Sequence, residues 1–293
     1  MLGNGLASSA SIPSRVWILG ALIGALAAAI PAESAITIGP GPALGTDRAG
    51  VTWYQDFQDW THSDLRALDD AGLGDATYAF GDGYDDSRDL TAFYFRAEGD
   101  YLYFRVDFYD LAMGAETGNL NLYLAIDWRA GGQIWLPDYL DVQTDTPWEA
   151  CLAVYQTGTT LGSSYTLWDE SFGLQSGGYA GSYFNSQLDA VEFGIQRAKL
   201  TALGWDGAST LRFQVFTTKD NAETSCSGGG LSSDITDSIL DDDRGCSDGV
   251  LNGSIASTDG AGLVTYASIA HGNQSVNRAG DIGAHIYDPE SNT

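Results

Sequence analysis

Apolar and polar residues alternate with period two through most of residues 77–217, the spacing that puts successive side chains on opposite faces of a strand. The clearest stretch predicts a hairpin. Leu90–Ala97 runs into Gly99-Asp100, after which Leu102, Phe104, Val106 and Phe108 share one face and Tyr103, Arg105, Asp107 and Tyr109 the other. The same pattern recurs in Leu120/Leu122/Leu124/Ile126, Trp148/Ala150/Leu152/Val154, Val191/Phe193/Ile195 and Leu211/Phe213/Val215. Between the last two, Gln196–Leu203 is long enough for only about two helical turns. Strands with one apolar face each and no long crossover helices predict an all-β chain, an antiparallel β-sandwich of jelly-roll or immunoglobulin-like type over 36–220. A parallel α/β sheet would need helices the pattern lacks.

Two stretches interrupt the alternation. Residues 156–189 are rich in Gly, Ser and Tyr and read as a long loop, and 221–262 read as a Gly/Ser/Asp-rich loop or linker. Beyond it, Leu263–Ala270 reads as a new strand and Arg278–Ile286 as the start of a helix, so 263–293 is expected to begin a second, truncated α/β domain. At the other end, Arg15 precedes the uncharged run Val16–Ile30 and the small residues up to Ala35. A positive flank, a short apolar core and small residues form a secretory signal over 1–35, and the run falls short of the ~20 residues that span a bilayer. The expected location is secreted or cell-surface, with no integral membrane association after signal removal.

Charge narrows the partners. The chain of 293 residues has 39 Asp+Glu against 13 Lys+Arg, a formal charge of −26. Nucleic acid is excluded as a partner, since there is no basic stripe to displace its counterions. Of the acids 31 are Asp, and only two of the cations are Lys. That bias favours turns, caps and hard-cation ligation over charged helix faces. Among the three cysteines, Cys151 sits in an apolar strand, whereas Cys226 and Cys246 lie in polar loops where an oxidising compartment could join them.

Two constellations could carry chemistry. In Asp82-Gly-Tyr-Asp85-Asp86-Ser-Arg-Asp89, four carboxylates within eight residues repel one another unless a cation or Arg88 intervenes. Asp82, Asp85, Asp86 and Asp89 are therefore calcium-ligand candidates, and the competing reading is a solvated acidic turn. Sugar rings pair apolar C–H faces with polar rims, so loop aromatics beside carboxylates suit them. Trp135, Tyr139 and Trp168, flanked by turn residues, are the candidates, with Asp138 as the nearby polar group, whereas Trp148 reads as core. No Ser/His/Asp order or nucleophile elbow is present, and no catalytic residue stands out in 36–260.

The stretch Asp69–Leu111 resembles the C-terminal binding-module family of glucodextranase in its acidic Gly-containing start, Gly74–Phe80, Asp89–Phe93, the Gly99-Asp100 hairpin and the aromatic strand Phe104–Leu111. Val191–Leu200 followed by Leu211–Val215 is similar to the closing strands of family 9 carbohydrate-binding modules and their DOMON-like relatives. The resemblance implies an exported, non-catalytic module, often calcium-stabilised, that binds polysaccharide and is attached to enzymes acting on α-glucans. Tyr266–Asn277 resembles the first strand and H-x-H-Q-P-V-x-N motif of family 57 glycoside hydrolases through His271, Gln274, Val276 and Asn277. Asn273 stands where the second His would be and Ser275 where the Pro would be. If that likeness holds, the chain is the front module of a larger hydrolase and hydrolyses nothing alone. The rival expectation is a calcium-stabilised attachment protein of the cell surface or matrix that binds no free sugar.

Overall fold

The period-two stretches form strands, and a computed structural model shows how they pair. It describes residues 35–41, 43–46, 52–54, 57–69, 85–111, 120–155, 161–162, 164–186, 188–219, 224–225, 232–241 and 243–260. Residues 1–34 of the segment expected to be a signal, Asp82, Cys226 and the whole of 263–293 with His271, Asn273 and Gln274 lie outside the described residues. No helix among the described residues is long and apolar enough to cross a membrane.

Two antiparallel sheets face each other, so the all-β sandwich expected from the alternation is the fold. The front sheet runs, in spatial order, Leu161–Gly162, Tyr179–Asn185, Ala190–Gln196, Tyr101–Phe108, Leu90–Glu98 and Leu65–Leu68. The back sheet runs Tyr165–Asp169, Ala150–Tyr155, Asn121–Asp127, Arg212–Thr218 and Ile235–Ser238, with Ile255–Ala256 added beside Arg212–Thr218. The hairpin turn is Gly99-Asp100, since Glu98 pairs with Tyr101 and Gly99 takes φ +53°, which costs glycine nothing. The single α-helix among the described residues, Arg197–Ala202, fills the short interval between two strands.

Between the sheets lies a core whose centre is aromatic. Phe93 meets Phe213 edge-on at 5.4 Å, and Phe104 stacks on Phe193 at 5.3 Å. Each such ring, fully buried, contributes roughly 1.5–3 kcal/mol by area alone.

The outward faces are covered as well, which alternation does not reveal. Against the back sheet lies a three-stranded cover sheet, Val250–Leu251, Gln143–Trp148 and Gln133–Trp135, of which the first pair is parallel. Leu136, Leu140, Val142, Trp148 and Leu251 of this layer pack on Tyr123, Ala125, Cys151, Ala153, Trp168 and Phe216. Against the front sheet lie Ile36, Phe57 and Trp60, packed with Tyr94 and Tyr183. Arg105 and Asp107, expected on the polar face, are buried there as an ion pair, with the guanidinium 4.9 Å from the rings of Phe57 and Tyr94.

The loop readings need correction. Within 156–189 the strands Leu161–Gly162, Tyr165–Asp169 and Tyr179–Asn185 join the two main sheets. The stretch expected as a linker over 221–262 likewise supplies Ile235–Ser238, Val250–Leu251 and Ile255–Ala256 and buries Ile235, Ile239, Leu251 and Ile255. Short strands between Gly, Ser and Asp turns lack the length for alternation to show. Cys246 is disulfide-bonded and Cys151 is free and buried.

Candidate functional site

Two short segments on the cover side carry the candidate surface. The first is the hairpin joining Gln133–Trp135 to Gln143–Trp148. At its tip Leu140 N–H donates to Pro137 C=O at 3.3 Å, and the two central residues, Asp138 and Tyr139, both have positive φ, 63° and 64°. This is the geometry of a type I′ turn, which side chains other than Gly, Asn and Asp adopt at a cost of ~1 kcal/mol or more. The anchors that hold it are Leu136 and Leu140, buried in the cover layer, and the Asp138 carboxylate, which accepts a 2.9 Å hydrogen bond from Tyr123 Oη. Burial and that carboxylate push the Tyr123 phenol well above its ordinary range, so it stays a donor. Tyr139 is left 95% exposed at the tip and Trp135 46% exposed on the edge strand.

The second segment is the turn after Tyr165–Asp169. Asp169 builds it: Oδ1 accepts from Ser171 and Gly173 N–H at 2.9 Å each, Oδ2 accepts from Gln175 Nε2 at 2.6 Å, and the main-chain carbonyl accepts from Phe172 N–H. A Cβ at Gly173 would sit 2.6 Å from Asp169 Oδ2, so the wrap requires glycine there. Phe172 is forced to φ 61° and is 43% exposed, and Leu174 is 73% exposed.

The segments are tied together. Gln133 Nε2 donates to Glu170 C=O at 3.3 Å, Trp148 Nε1 donates to Trp135 C=O at 3.1 Å, and the Trp148 ring meets Phe172 edge-on at 5.7 Å. Gln133 Oε1 also accepts from the N–H groups of Ile134 and Trp135, at 3.0 Å each, which occupies donors of the outermost strand of the cover sheet. Among the described residues six large apolar side chains are exposed, and all but Tyr109 (Ile134, Trp135, Tyr139, Phe172 and Leu174) lie on these two segments.

A charged row borders them at the end of the back sheet. Arg212 Nη1 lies 3.2 Å from Asp127 Oδ2, Arg129 N–H donates to Asp127 Oδ1, and Arg129 reaches Glu149 Oε1 at 3.3 Å and Glu170 Oε1 at 2.6 Å. Glu149 is buried and accepts from Trp128 N–H at 2.9 Å, whereas Arg129 and Glu170 are partly exposed. Burial raises the Glu149 carboxyl to about 7, opposed by the Trp128 N–H and Arg129 and reinforced by Asp127 and Glu170.

Trp135, Tyr139 and Asp138 thus share one hairpin. Trp168 does not join them at the surface. It is 7% exposed and stacks on Tyr123 at 6.3 Å, beneath the hairpin, because it lies opposite Cys151 on the face that the cover sheet hides. Phe172, Leu174 and Ile134 were not candidates from the sequence. Their only local signal is an apolar residue inside a turn, as in Ser171-Phe-Gly-Leu174, and many such residues are buried.

The acidic turn lies elsewhere. Asp85 and Asp86 fall in the 3₁₀ turn Asp85–Arg88, and Asp89, just after it, is buried. This turn links the sheets: Thr217 Oγ1 donates to Arg88 C=O at 2.7 Å and Leu90 N–H to Asp237 Oδ2 at 2.5 Å. Among the described residues no group of three His, Cys, Asp or Glu is placed to hold a metal ion. No protein-family model matches the chain, and no curated protein matches it either.

Proposed function

We propose that the protein is an exported, non-catalytic carbohydrate-binding sandwich, a front module of a larger α-glucan-active enzyme, with polysaccharide as partner. The supporting observation is the gathering of Trp135, Tyr139, Phe172 and Leu174 on two tied segments, bordered by Arg129 and Glu170. Sugar rings need apolar faces beside hydrogen-bonding rims, and this surface offers both. The net charge of −26 disfavours an anionic polysaccharide and leaves a neutral one as the better fit. The proposal assigns no reaction step to this chain, and calcium enters it as an ion to be tested at the acidic turn.

The test is affinity electrophoresis through gels containing soluble α-glucans. The intact protein should be retarded, and Trp135→Ala and Tyr139→Ala should both migrate faster than it with unchanged melting temperatures. Unretarded migration of the intact protein in every glucan overturns the reading in favour of an attachment module. Melting with and without calcium separately tests the ion, since a bound cation must raise the midpoint.

A further inference from the structure

The turn bearing Phe172 and Leu174 is held to the body of the sandwich partly through one guanidinium, and that guanidinium has two carboxylates to serve. Arg129 follows the strand Asn121–Asp127, reaches inward with Nε to the buried Glu149 and outward with Nη2 to Glu170 in the turn. We propose that Arg129 is a positioning residue whose hold on the 169–175 turn is set by the charge on Glu149, so that the turn is clamped when Glu149 is neutral and loosened when it ionises. Only the consequence for ligand rests on the carbohydrate-binding reading; the clamp does not.

The charges around Glu149 give the direction. Asp127 faces it from the neighbouring strand, Arg129 and Glu170 from the two segments above, and Arg212 balances Asp127 from the next strand. Asp169, at the root of the turn, is occupied with the Ser171 and Gly173 N–H groups and Gln175. With Glu149 protonated, the carboxylates of Asp127 and Glu170 match the two guanidiniums, and Glu170 has Arg129 to itself. Ionised Glu149 makes three carboxylates for two guanidiniums, competes for Arg129 and repels Glu170. Burial places this titration near neutrality, within reach of ordinary changes in surroundings.

Amide hydrogen exchange of the full chain, corrected for intrinsic rates and followed over residues 170–175 from pH ~5.5 to ~8.5, tests the clamp. Protection in the intact protein should fall by about tenfold across neutral pH, the response of a local opening that loses one ionic tie. Glu149→Gln should hold the acid-side protection at every pH, and Arg129→Ala should show the alkaline-side level throughout. A flat profile in the intact protein, or an unchanged transition in Glu149→Gln whose melting shows it folded, overturns the proposal. Glucan retardation at the two pH extremes is measured in parallel. A pH-dependent turn in a protein that no glucan retards upholds the clamp and removes the binding reading. A flat turn with retardation at both extremes does the reverse.

Discussion

Tyr139 shows how a single residue can be shaped for contact at the expense of local comfort. Its φ of 64° and its 95% exposure mean that the chain spends backbone strain to hold an aromatic ring in water. Such a ring contributes little to folding, so Tyr139→Ala should leave the melting temperature within about a degree while weakening glucan retention by about tenfold, the worth of one good ring contact. Tyr123→Phe makes the opposite separation. It removes the donor to Asp138 and should destabilise the fold by about 1 kcal/mol, with weaker retention arising from a loosened tip. Calorimetry beside gel retardation distinguishes the two effects. In the sequence Tyr123 takes an outward position of the alternating strand Leu120–Ile126, as a surface residue would, and only its burial under the hairpin makes it an anchor while Tyr139 is displayed.

At the scale of elements, the cover sheet decides where the candidate surface lies. Its hairpin is entered, at the open end beside Pro147, through Gly132, whose φ is +97° and where a Cβ would lie 2.8 Å from Pro147 C=O. Gly132→Ala therefore meets both a clash with backbone and a left-handed penalty, and should cost about 2 kcal/mol or more. The loss should appear as lowered denaturation midpoint and raised exchange over 133–148, with the Phe93–Phe213 core strands still protected. Uniform loss of protection through both main sheets would show that the cover sheet and sandwich unfold as one unit. The long alternating strands were legible in the sequence because the core between the two sheets takes an apolar side chain at every second position. Tyr165–Asp169 and Ile235–Ser238 were not, because strands of five and four residues between Gly and Ser turns offer too few alternations to rise above loop composition.

Over the whole molecule, the acidic charge and the buried carboxylates act in the same direction. Burial raises the Glu192 carboxyl to about 8, although the Trp60 Nε1 and Gly39 N–H donors oppose it, and raises Glu149 to about 7. Both bind their protons more tightly folded than unfolded. Their stabilising contribution is complete below the ordinary glutamate range and is lost as pH rises through about 7 and then 8. The melting temperature should accordingly fall from pH ~5 to pH ~9, with a shallower fall in Glu149→Gln. Monovalent salt should lift the alkaline end by screening a net charge of −26. A melting temperature that rises with pH would contradict this assignment. The sequence alone determined the class of fold, since apolar side chains on one face of successive strands can be hidden only by sheet against sheet. It also fixed the net charge of −26, since a count of charged residues does not depend on folding. Tertiary structure decided which outward faces stay outward. Trp168, Arg105 and Glu192 alternate with core residues as surface positions do, yet each is buried because a second layer lies over its sheet. A face is closed by segments distant in sequence, and the local pattern of hydrophobic and polar residues carries no information about them.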